Sequence, residues 1–96
     1  MSKRSIQRKL AKTSSRLTAL RTELSVIDEQ MRSLDDDAQD AATRAIVADN
    51  TGVSREAREA GEHLAAHRRQ RERVVIEIDE LTRRQDELLD RMIAAD

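Results

Sequence analysis

From Ile6 onward the apolar positions of the first half step by four and three: Ile6, Leu10, Thr13, Leu17, Leu20, Leu24, Ile27, Met31, Leu34, Ala38, Ala41, Ala45 and Ala48, with Thr13 the one hydroxyl in the series. This alternation is the seam of a heptad helix, and six heptads of it are hard to obtain from a disordered or β sequence. A second seam runs Ala57, Ala60, Leu64, His67, Arg71, Val74, Ile78, Leu81, Gln85, Leu88, Met92, Ala95. The pattern predicts one all-α domain of two helices, about 3–48 and about 54–95. Thr13, His67, Arg71 and Gln85 interrupt the seams with polar groups, which cost stability but restrict register and partner choice.

Between the seams stands ADNTGVSRE, residues 48–56, with one of the two glycines of the chain. Asn50 and Gly52 suit the left-handed conformation that ends a helix. Thr51 and Ser54 can cap the next one, and Glu56 falls where its first turn is expected. A turn over 49–53 makes the chain an antiparallel coiled-coil hairpin, each helix roughly 65–70 Å long at about 1.5 Å per residue. The competing joint is SLDDDAQD, where Asp35–Asp37 could cap a helix beginning near Ala38, but the heptad phase passes through it unbroken.

Charge supports the fold-back. Residues 1–21 carry seven basic groups and no acid, whereas 22–40 carry seven acids against Arg32; Arg68, Arg69, Arg71 and Arg73 form a basic cluster, and 76–96 carry seven acids against three arginines. Folding near 50 sets each block beside one of opposite sign. A parallel in-register dimer would set seven positive charges against seven, and such repulsion excludes a partner. Each exposed pair contributes only about 0–1 kcal/mol, so the blocks select orientation more than they supply stability.

Composition narrows the class. With 38% apolar residues and no Phe, Trp or Tyr among 96 residues, a thick globular core is not expected. The 39% charged fraction and the absence of Pro fit long helices packed along narrow seams. No cysteine is present, which removes disulfides, thiolate metal sites and thiol nucleophiles. The basic start lacks the apolar stretch of a signal peptide and no segment approaches a membrane span, so a cytoplasmic protein is expected. Arg outnumbers Lys fifteen to three, which with much Ala and Asp points to a GC-rich bacterial coding sequence.

Candidate chemistry is sparse. His63 and His67 share a helix face at a spacing that can hold a transition metal, but Arg68 and Arg69 crowd them and no third ligand stands in a motif; neither a metal nor a cofactor is expected. The basic N-terminal segment, with Ser5, Thr13, Ser14 and Ser15, could meet phosphates of nucleic acid or an anionic membrane surface. It has no aromatic residue for stacking, and the net charge of −1 disfavours nucleic acid as a partner. An enzyme needs a concave, partly dry pocket, which a two-helix hairpin lacks, so no catalytic residue is assigned.

The segment DAQDAA, with Asp37, Asp40 and Ala42, resembles the DxxDxA tip motif of DksA-type regulators. Those proteins insert a coiled-coil hairpin into the secondary channel of RNA polymerase. The resemblance covers six residues and implies that Asp37 and Asp40 act near the polymerase active-site magnesium; the four-cysteine zinc finger of that family is missing, and the turn expected here lies beyond the motif.

Apolar residues off the seam point outward. Val26, Val75, Ile76, Leu89 and Ile93 widen the apolar face, as expected if a second hairpin or a partner helix packs there. The sequence therefore predicts a protein-interaction module, a scaffold, adaptor or regulator, that self-associates into a four-helix bundle. The small seam residues Ala38, Ala41, Ala45, Ala57, Ala60 and Gly61 should draw the helices close near the turn.

Overall fold

Ser2 opens the first helix: its Oγ accepts the Ser5 amide at 3.2 Å and its carbonyl accepts the Ile6 amide at 3.1 Å. The computed structural model describes residues 2–48 and 50–95. They form two α-helices, α1 (Lys3–Ala48) and α2 (Thr51–Ala95), with no strand among the described residues. Within residues 25–72 the two helices form a hairpin. Helix α1 continues through Asp35–Asp37 without a break, because the seam gives that stretch no reason to leave the helix.

The turn differs from the expectation in one respect. Asn50 caps α2, its Oδ1 accepting the Val53 amide at 2.9 Å while its carbonyl accepts the Ser54 amide at 3.1 Å. Asn is among the best N-caps because its side-chain oxygen satisfies an amide that the first turn leaves without a partner. Helix α2 therefore begins at Thr51 rather than near 54, and Gly52 is helical. Glu56 lies beyond the first turn and reaches Arg44 instead.

Two compact units share these helices. In the terminal unit, residues 2–24 with 73–95, α1 and α2 run antiparallel. Arg16 meets Glu77, and Ile6 lies in a groove with Arg91, Ala94 and Ala95. Its core is Ile6, Leu17, Leu20, Val74 and Leu88, with Thr13 buried among them. At about 1.5–3 kcal/mol per fully buried aliphatic side chain, these few seam residues hold the helices together.

In the turn unit, residues 25–72, the antiparallel pairing is marked by Arg71 on Asp28, Arg68 near Asp35 and Arg44 on Glu56. Its buried apolar residues are Ile27, Ala41 and Leu64. Ala38, Ala45, Ala57 and Ala60 are half-buried. Gly61 departs from the expected close approach: it is exposed, and a Cβ added there would meet nothing within 4 Å. It follows the seam residue Ala60 and so faces outward.

Candidate interaction surface

In an antiparallel helix pair the residues that follow each seam position line one flank and those that precede it line the other. The terminal unit confirms this geometry on its preceding flank, where Arg16, just before Leu17, binds Glu77, just before Ile78, through two hydrogen bonds of 3.0 and 3.1 Å. The bond and charge of Glu77 raise the Arg16 pKa above the ordinary arginine value. That flank is almost wholly charged: Lys9, Lys12, Arg16 and Glu23 on α1, and Arg73, Glu77, Glu80, Arg84, Glu87 and Arg91 on α2.

The following flank is of another kind. On α1 it reads Gln7, Ala11, Ser14 and Thr18, all exposed and uncharged, before Arg21. On α2 it reads Val75, Asp79, Thr82, Asp86, Leu89 and Ile93. Val75, Leu89 and Ile93 are 38%, 41% and 72% exposed. The two threonine hydroxyls are satisfied within their helices, Thr18 Oγ1 donating to the Ser14 carbonyl at 3.1 Å and Thr82 Oγ1 to the Ile78 carbonyl at 2.8 Å. Away from Asp79 and Asp86, this flank can lose water at little polar cost.

Of the five outward residues predicted, Val75, Leu89 and Ile93 thus share one flank. Ile76 is exposed but lies about 100° further round α2, on the outer face. Val26 is exposed on α1 of the turn unit, just before the seam residue Ile27 and so on the preceding flank. The α1 half of the flank carries no apolar side chain larger than alanine, so a search for off-seam hydrophobics passes over it. Ile46 and Val47, 83% and 81% exposed on the last turn of α1, are the most exposed large hydrophobics. An off-seam β-branched pair was their signal.

The polar seam residues find partners in different ways. Thr13 Oγ1 donates to the Lys9 carbonyl at 2.8 Å. Arg71 Nε donates to Asp28 Oδ1 at 2.6 Å, and that bond and charge raise the arginine pKa further. His67 is half-buried with Nδ1 3.1 Å from the His63 carbonyl, a contact in which Nδ1–H is the donor. Gln85 is half-buried. No buried side-chain polar atom lacks a partner among the described residues.

The remaining candidates are dispersed. The His63 and His67 rings lie 6.1 Å apart, and no group of three potential metal ligands occurs among the described residues. Asp37 and Asp40 are exposed on the shaft of α1, which runs on to Ala48. Asp40 binds Arg44 at 3.3 Å, and Arg44 also binds Glu56 at 3.0 Å. Asp37 borders a shallow groove of about 310 Å³ with Leu34, Glu56, Glu59, Ala60 and His63. Within the basic N-terminal segment, Arg16 is engaged by Glu77, and Lys3 and Lys9 also take part in interactions. No helix of the described residues is long and apolar enough to cross a membrane. No protein-family model, curated protein or solved structure matches the chain.

Proposed function

We propose that this chain is a non-enzymatic coiled-coil interaction module that self-associates into a four-helix bundle and serves as a scaffold, adaptor or regulator. One observation carries the reading: Val75 and Leu89 stand exposed in a single column beside the seam, on a flank with few charges, while the opposite flank is mostly charged and carries the Arg16–Glu77 pair. An apolar column beside a filled seam is what a further helix covers. The shallow surface grooves, with no buried side-chain polar atom lacking a partner among the described residues, favour binding over catalysis.

The reading based on polymerase receives less support, because Asp37 and Asp40 stand on the shaft of α1 rather than beside Asn50. Light scattering on the full chain tests the module. A dimer or larger species that Leu89→Glu dissociates is expected; a monomer at every concentration, unchanged by that substitution, removes the assignment.

A further inference from the structure

Resting on that reading, we infer that the partner is a second copy of this chain and that α1 of one copy packs on α2 of the other through the terminal unit, around a two-fold axis parallel to the helices. Size and charge both lead to this arrangement. In apolar side chains the α1 half of this flank offers nothing larger than Ala11, whereas the α2 half carries Val75 and Leu89. Stacking α1 on α1 and α2 on α2 would set small on small and large on large, giving two unequal gaps. Crossing them lets large side chains fill the space over small ones at both contacts, at equal helix separation.

Charge acts in the same direction. Residues 1–21 hold seven basic groups and no acid, so α1 on α1 in the terminal unit opposes like charges along that segment. Helix α2 presents Asp79 and Asp86 at the rim of the flank, and these fall beside the basic segment of the partner when the helices cross. Asp79 also holds Arg83 at 2.9 Å within its own helix, which leaves Asp86 as the more available rim acid. Each copy supplies both halves of the contact, so the dimer closes on itself and does not extend into a fibre.

Specificity ends where the flank becomes charged. In the turn unit the corresponding positions include the charged Asp28, Arg32, Asp35, Arg58, Arg68 and Glu72 beside the uncharged Gln39, Ala42, Ile46, Gly61 and Ala65, and Arg68 lies 4.0 Å from Asp35. A contact confined to the terminal unit measures about 27 Å by 20 Å, roughly 500 Å² per copy. This is the low end of specific interfaces, so a concentration-dependent dimer follows.

The chain has no cysteine, so single-cysteine variants report the arrangement directly. Helix levels set by Arg16 on Glu77 and Ile6 beside Arg91 and Ala94 place Ala11 at the level of Asp86. In a mixture of Ala11→Cys and Asp86→Cys full-length chains, a short thiol cross-linker is expected to join one chain to the other, and Ala11→Cys mixed with Thr18→Cys is expected to give little product. Val75→Glu with Leu89→Glu should weaken dimerisation at least about 100-fold by burying two carboxylates, with helicity retained in circular dichroism. Cross-linking only between Ala11→Cys and Thr18→Cys means α1 lies on α1, which overturns this arrangement and leaves the module reading intact. A dimer that cross-links in neither mixture and survives the double glutamate variant uses another face and also overturns it. A chain that stays monomeric overturns both.

Discussion

Arg71 Nε and Asp28 Oδ1 are 2.6 Å apart, joining an arginine on the α2 seam to a carboxylate just beyond the α1 seam residue Ile27. An apolar residue at the Arg71 position would bury more surface, but the charged pair works in one register only, which is how polar seam positions restrict alternatives. Asp28→Asn is expected to lower the melting temperature modestly, with the difference shrinking as salt rises, since both side chains are more than a third exposed. Arg71→Leu should raise the melting temperature while broadening the range of registers, seen as wider distance distributions between spin labels on α1 and α2. The raised arginine pKa keeps that charge in place throughout the working pH range.

Asn50 offers a test of the turn. As the cap of α2 it tolerates Ser or Asp, while Asn50→Ala should cost about 1 kcal/mol and Asn50→Gly only a few tenths. Were Asn50 instead a left-handed helix terminus, Gly would be the best replacement and Ser a poor one. Thermal melts of the Ser, Gly and Ala variants separate the two orders.

Gly61 lies inside α2, exposed and with open space where a Cβ would stand. Gly61→Ala should therefore stabilise the fold by about 0.8–1.0 kcal/mol through helix propensity, a shift of several degrees in melting temperature for a chain of this size. An unchanged or lowered midpoint would mean that the glycine is held for a contact absent from the isolated chain.

Leu88 is fully buried, with Leu17 and Leu20 nearly so. Leu88→Ala should cost about 2–5 kcal/mol in urea denaturation, a large share of the total stability expected for a small domain. Leu34→Ala, at a half-buried position of the turn unit, should cost less, because the site is already partly wet. Equal losses would contradict the burial of the terminal core.

Charge blocks and seams were legible because they are repeated signals. Arg16 on Glu77, Arg71 on Asp28 and Arg68 near Asp35 fall where complementary blocks were expected, and an error at any one residue would not have moved the pattern. Gly61 shows the opposite case. Counted with the alanines of the seam, it proved to be one position beyond it, and a single residue near a seam has no neighbours to correct its phase.

What the sequence determined by itself was therefore the helical state, the buried stripe and the pairing of opposite charges, since many residues vote for one periodicity and a slip would expose the whole stripe. Only the tertiary structure decided that Asn50 caps α2 and that Ala11, Ser14 and Thr18 stand beside Val75, Thr82 and Leu89 on one flank. The physical reason differs for the two. An asparagine has several local conformations of similar energy and its neighbours choose among them, while a flank belongs to two helices and exists only once they lie side by side.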